Sequence, residues 1–237
     1  MILSENVFDD VSLNIFTDAS IRKIKGGETL GCAGMLAVYG NDRKSYDRYQ
    51  IIRNTTNNNA EIKAIRLGVE EAIRQKNNFK NIRLFSDSQI SIFGIRDRIF
   101  KWYNNGSALC GYEGQPIKNQ EIMLEIAHMI VDNDIRIDFY HQQGHVKVND
   151  KEKLLEAIHV FSSSNNIRSM ISYDFINTIS QYNNYVDIMS RTRLYDVDEK
   201  VLTQNPDLYS CPIYFTYNGN FNKDKYKKCI SSGSLEV

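Results

Sequence analysis

The sequence has little that would stiffen or cross-link a chain. Its 237 residues include only 3 prolines and 1 tryptophan. The 4 cysteines, Cys32, Cys110, Cys211 and Cys229, lie far apart and form no Cys-x-x-Cys pair. That excludes a zinc ribbon and offers no disulfide framework, so reduced thiols are expected. No stretch of about 18 apolar residues occurs, and no membrane span is expected. The start, MILSENVFDDVSLNIF, lacks the basic segment and long apolar run of a secretory signal. A cytoplasmic protein is therefore expected (nuclear or viral if the source is not bacterial) and not a secreted one. Charge of one sign is lacking too: 29 Lys and Arg balance 29 Asp and Glu. Neutralising phosphates rewards a basic excess, so any phosphate binding must come from local patches.

What is present reads as an ordinary globular chain, 42% hydrophobic and 24% charged. Its length suits one domain with an elaboration. Leu13 to Asp18 reads LNIFTD, an apolar, β-rich run with an acid at its end. CAGMLAVYG and SYDRYQIIRN are strand-like and joined by the turn signal GNDRK, which together predict an antiparallel meander. The period then changes. After Asn58, read as an N-cap, Ala64, Gly68 and Ala72 recur four apart with Ile65, Val69 and Ile73 beside them. This is one face of a helix whose small residues allow close packing on a sheet. A short strand, NIRLFSDS, follows, then helices in SQISIFGIRDRIFKWYNN and KNQEIMLEIAHMIVDND, then a strand in IRIDFYHQ. The order predicts an α/β fold: a five-stranded mixed sheet, three antiparallel strands then βααβ, flanked by helices. Beyond His145, KEKLLEAIHVF and DFINTISQY read as helices separated by SSSNN, and YVDIMSRTRLY as another short helix. Further on come a strand-like CPIYFTY, a basic KDKYKK, and a terminal SSGSLEV resembling a linker that runs into a tag.

Asp18 and Asp87 each end an apolar strand run, and strand ends are where ligand-facing residues gather in such sheets. Glu61 is read in the first turn of the first helix, where the helix dipole also favours a carboxylate. Singly, each is an unremarkable acid. With their neighbours they read FTDAS, TTNNNAE and FSDSQ, in that order. This resembles the type 1 ribonuclease H family, whose motifs are a strand ending TDGS, a loop and helix TTNNxxE, and a strand ending TDSQ. PIKNQEI resembles the family's PVKNxDLW segment, HQQGHV its KGHxG loop, and NNYVDIMSR the NExAD helix that supplies a last carboxylate. The resemblance runs from Leu13 to Arg193 with one large interruption.

The resemblance implies a ribonuclease H-like fold and a metal-dependent endonuclease that hydrolyses the RNA strand of RNA/DNA hybrids, leaving 5'-phosphates. It implies two Mg²⁺ ions, with Mn²⁺ able to substitute. Asp18 would bridge both ions, Glu61 and Asp87 would bind one, and Asp187 would complete the other. The chemistry is coherent: two cations about 4 Å apart clamp the attacking and leaving oxygens of a phosphodiester, and magnesium prefers oxygen ligands. His145, in QGHV, would assist proton transfer and product release; His141, four residues earlier, is a rival. Asp150 and Asp174 are rivals of Asp187. By the same resemblance Thr56 contacts a DNA-strand phosphate, while Asn57, Asn58 and Gln89 reach the minor groove, where amides read base edges and the 2'-OH. Trp102 would face substrate. Lys101 and Lys118 are what remains of the family's lysine-rich handle. Two other readings stay open: a DNA nuclease or resolvase using the same metals, and a nucleic-acid-binding module of a replication complex.

The expected organisation is a catalytic domain over 8–195, interrupted by a helical insertion at 146–182, then a C-terminal extension at 196–230 and the linker at 231–237. The insertion and extension are expected to shape substrate access or to bind a replication or reverse-transcription partner. No separate hybrid-binding module fits before Leu13, and a monomer is expected.

Overall fold

The computed structural model describes residues 2–3, 8–104, 108–109, 117–205, 207–210 and 222–231. The meander forms as the turn signals predict: β2 (Ser12–Lys23), β3 (Thr29–Tyr39) and β4 (Lys44–Arg53) pair antiparallel. A two-residue β1 (Ile2–Leu3) precedes them and pairs elsewhere, parallel to Met170–Ile171. α1 (Asn57–Gln75) then crosses one sheet face, and β5 (Asn81–Ser86) returns parallel to β2. Thr56, not Asn58, caps α1, its side chain accepting from the Asn59 amide. Gly68 is required where α1 meets the sheet, because a Cβ there would lie 2.8 Å from Leu84 Cδ1.

The next helical stretch is interrupted: α2 (Gln89–Phe93), a π-helical turn (Gly94–Arg98) and α3 (Ile99–Trp102). β6 (Tyr103–Asn104) and β7 (Ala108–Leu109) form a small hairpin. α4 (Gln120–Asp132) leads into β8 (Ile137–His141), which pairs parallel to β5. The five expected strands therefore form the expected mixed sheet.

One face is aliphatic. Leu13, Ile15, Met35, Ala64, Val69, Leu84, Ile126 and Ile130 bury there between the sheet and α1 and α4. The other face is aromatic. Phe16, Phe85 and Tyr140 sit opposite one another across β2, β5 and β8. Their rings stack with centroids 4.9 and 5.2 Å apart. Phe161 of α5 (Lys151–Ser164) closes that ladder over Tyr140 at 5.8 Å. After β9 (Met170–Ile171), α6 (Tyr173–Tyr195) lies over β2 and β3 and adds Phe175, Ile176, Ile179, Val186 and Met189 to the same cluster.

Two helices were expected where α6 runs unbroken. No Gly or Pro stops it, and the Asn pair at its middle is satisfied from outside the helix: Asn183 by Gln142, Asn184 by the Val146 carbonyl at 3.0 Å. The segment over 146–182 is thus structural cover for a sheet face: Val146, Leu154, Phe161, Phe175, Ile176 and Ile179 are core, while Leu155, Met170 and Tyr173 stay exposed.

After α6, α7 (Glu199–Gln204) sets Leu202 against Leu30, Ile51 and Leu194. α8 (Lys223–Cys229), which holds the basic cluster, buries Tyr226 completely and donates its hydroxyl to the Ile95 carbonyl at 2.9 Å. A two-residue β10 (Ile230–Ser231) then pairs parallel to β8. The sheet so gains a sixth strand, in the order β10-β8-β5-β2-β3-β4, and the β8 edge is covered. Ser231, assigned to a linker by sequence, belongs to this strand; CPIYFTY and the residues after Ser231 lie outside the described residues. Among the described residues no helix is long and apolar enough to cross a membrane.

Candidate active site

Asp18 lies within β2, which runs on to Lys23 rather than ending at the acid. It comes just past the last parallel pair with β5, Thr17 and Ser86, so Asp87, the residue after β5, falls beside it, and α1 delivers Glu61 to the same place. Glu61 is the fifth residue of its helix, not in the first turn, so dipole capping does not account for it. Asp18, Glu61 and Asp87 each offer a carboxylate oxygen, and all three oxygens lie within 4.8 Å of one another. Asp18 is 4% exposed and Glu61 6%. They border a cleft of about 560 Å³ that is also lined by Ser20, Asn57, His145, Asp187, Arg191 and Tyr195.

Burial dominates the electrostatics. It pushes the Asp18 carboxyl up to about 8, with repulsion from Asp87 adding to it. Burial likewise raises Glu61 to about 10, seconded by Asp18. Asp87 is raised by burial and partly restored by a hydrogen bond from Asn183. Carboxylates this close cannot all ionise without compensating charge. The neighbouring basic side chains contact Asp187. Arg191, one helical turn on, contacts both its carboxylate oxygens at 2.7 and 2.6 Å, and His145 Nδ1 lies 3.5 Å from Asp187 Oδ2. Asp187 therefore borders the cleft without joining the three-acid cluster.

The donor set fits a hard divalent cation. It contains oxygen alone, and Glu61 Oε2 is buried with no hydrogen-bond partner. Such an atom is costly unless something positive meets it.

The sequence rivals separate clearly. His141 is buried against Phe93, burial lowers its pKa, and its ring bonds the Asp87 backbone. His145 projects into the cleft from a left-handed backbone position, φ +52°. Asp150 caps α5, and Asp174 lies in the first turn of α6; neither lines the cleft.

Of the expected substrate contacts, Asn57 lines the cleft and its side chain bonds Glu61. Thr56 and Asn58 flank it on the exposed start of α1, and Gln89 is exposed at the start of α2. Lys118 is exposed beside Asn119, whose Oδ1 accepts from Asn59 at 3.0 Å, so this turn is tied to the α1 N-terminus. The Trp102 side chain lies outside the described residues. Ser20, Ile21, Ser88, Arg191 and Tyr195 line the cleft without having been singled out. Arg191 was detectable, four residues after Asp187 on one helix face.

Gly144 carries a steric constraint. A Cβ there would overlap Asp87 Oδ2. Gly144→Ala would displace that carboxylate, and the activity of the site is expected to fall about 10- to 100-fold while the melting temperature moves by no more than about 4 °C. Steady-state kinetics and a thermal melt on the same preparation check this.

A family model described as RNase H matches residues 10–154. The match takes in Asp18, Glu61, Asp87 and His145 and ends before α6, so Asp187 lies beyond it. The chain is 30% identical over 128 residues to ribonuclease HI of Haemophilus ducreyi, covering 54% of this chain and 73% of that protein. It is 27% identical over 132 residues to ribonuclease H of Clostridium botulinum, covering 55% of this chain and 82% of that one. Among solved structures it is similar to a foamy viral protease-reverse transcriptase in complex with RNA/DNA hybrid, at 14% identity and TM-score 0.49, over 65% of this chain and only 20% of that one. It is also similar to LC11-RNase H1 in complex with RNA/DNA hybrid, at 18% identity and TM-score 0.41, over 62% of this chain and 96% of that one. With the matched segment exceeding half its length and a sheet of the expected order, the chain belongs to the ribonuclease H family.

Proposed function

We propose that this protein is an endoribonuclease that cuts the RNA strand of RNA/DNA hybrids, using divalent metal held by Asp18, Glu61 and Asp87, with Asp187 completing the set. The observation that carries the reading is the three-acid cluster of a ribonuclease H family chain: buried Asp18 and Glu61 and half-buried Asp87, with carboxylate oxygens within 4.8 Å of one another and one oxygen without a partner. Magnesium is the expected ion, because the donors are oxygen alone. When bound, divalent ions supply a more acidic water and neutralise the phosphate charge that builds during hydrolysis.

The chain's own groups do the rest. Asn57 holds Glu61 from the cleft side. Asp187 orients the His145 ring through Nδ1, which leaves Nε2 to take and return a proton at the leaving oxygen. Thr56, Asn58 and Gln89 supply exposed polar contacts for the duplex around the cleft, and Lys118 supplies a positive charge beside them; Trp102 is proposed to add an aromatic face. With zero net charge overall, binding to duplex should be weaker than for a basic enzyme and should fall with salt.

One cleavage panel tests the reading: labelled RNA/DNA hybrid, double-stranded RNA, duplex DNA and branched DNA, with Mg²⁺ or Mn²⁺, for the wild type and Asp87→Asn. Hybrid-only cutting lost in the variant is the expected result. Cutting of branched DNA would assign a resolvase instead, and no cutting of any substrate would leave a binding module.

A further inference from the structure

Two buried amides stand behind Asp87. Gln142 is 2% exposed and Asn183 is 1% exposed. Gln142 follows directly on β8, and its backbone N–H donates to the Ser86 carbonyl at 3.0 Å, which fixes it beside the end of β5, one residue before Asp87. Its Nε2 donates to Asn183 Oδ1 at 2.8 Å. Asn183 Nδ2 in turn donates to Asp87 Oδ2 at 3.4 Å.

The direction of this chain matters. An asparagine amide has one accepting and one donating end, and turning it over exchanges them. With its oxygen taken by Gln142, Asn183 must aim its NH₂ at Asp87. Without Gln142 the Asn183 oxygen loses its donor, and only the single 3.4 Å contact with Asp87 orients the amide, so it is held less firmly. Burying the Gln142 amide is costly, the more so because its Oε1 has no partner. A hydrocarbon side chain would fill that place at lower cost to the fold. The chain also joins two separate parts of the sequence, the loop after β8 and the helix carrying Asp187.

We infer that Gln142 is a positioning residue for the metal centre, acting through Asn183 to hold the Asp87 carboxylate in its ligating orientation. The inference rests on the proposed metal-binding role of Asp87. Outer partners of metal ligands are worth about 10- to 100-fold in metal affinity, and a buried, directional relay belongs in that class.

The test is Mn²⁺ binding by the full chain, followed by electron paramagnetic resonance, for the wild type, Gln142→Met, Asn183→Ala, the double variant and Asp87→Asn. Gln142→Met is expected to weaken Mn²⁺ binding about tenfold, and to raise by a similar factor the Mn²⁺ concentration that half-activates hybrid cleavage. Much of the rate should return at saturating metal. Asn183→Ala should weaken binding at least as much, and adding Gln142→Met to it should change nothing further, because the two act in series. Asn183→Ala thus probes the relay from its other end should Gln142→Met fold poorly. Mn²⁺ affinity in Gln142→Met within twofold of wild type, or additive losses in the double variant, would overturn the relay alone. If the wild type shows no saturable Mn²⁺ signal that Asp87→Asn removes, the metal-binding reading falls and the relay with it.

Discussion

Asp18→Asn should lower hybrid cleavage by about three orders of magnitude or more and yet make the metal-free protein more stable. The two effects share a cause. Asp18 is 4% exposed, close to Glu61 and Asp87, and its carboxyl is pushed up to about 8, first by burial and then by Asp87. At neutral pH the folded, metal-free chain holds protons there that the unfolded chain releases. The stabilisation is therefore complete below the ordinary carboxylate range, and it is lost as pH rises towards about 8 at Asp18 and about 10 at Glu61. An amide at position 18 carries no charge, and its oxygen can still accept from the Ala19 amide, as Asp18 Oδ1 does at 2.7 Å. The gain should be on the order of a few kcal/mol, seen as a higher melting temperature in EDTA and a flatter dependence of stability on pH from 5 to 9. Mg²⁺ should raise the melting temperature of the wild type and leave that of the variant nearly unmoved. If Asp18→Asn were less stable than the wild type in EDTA, burial of the Asp18 carboxyl would not carry the cost assigned to it.

Deleting Lys151–Gln181 should abolish folding. By sequence this segment is an insertion at the mouth of the cleft, expected to govern access or to recruit a partner. In the structure it brings Phe161, Phe175, Ile176 and Ile179 onto the sheet, all essentially inaccessible to solvent. Its removal would expose the stacked Phe16, Phe85 and Tyr140 rings to water. It would also remove Asn165, whose side chain binds the backbone of His141 at 2.9 and 2.7 Å and accepts from buried Arg96 at 2.8 Å. A graded version is Phe161→Ala, for which a loss of about 3–5 kcal/mol is expected in urea unfolding. A soluble, cooperatively melting deletion protein would show instead that the segment is a separable layer.

The parts legible from sequence were those written in local pattern. The meander shows in its turn signal, α1 in its four-residue spacing of small residues, and Asp18, Glu61 and Asp87 in their immediate neighbours. What escaped depends on contacts between distant segments. Nothing local distinguishes Phe16, Phe85 and Tyr140 from other core aromatics; only the strand register stacks them. The Asn pair lies between the two helices expected from sequence; asparagine ordinarily competes with helix backbone, and α6 runs through it here because Gln142 and Val146 satisfy the side chains. By sequence KDKYKK is only a basic cluster, and only the fold reveals that its tyrosine is a core residue. Gln142 has no signature at all, since the worth of a buried amide lies in what it faces.

The central claim, that buried oxygen ligands make this a metal-dependent ribonuclease, is tested most directly by a single time course of labelled hybrid cleavage. EDTA in excess is added midway, followed by excess Mg²⁺. The account predicts that cutting stops on chelation and resumes at its former rate when Mg²⁺ returns. Cutting that continued unchanged in EDTA would contradict it.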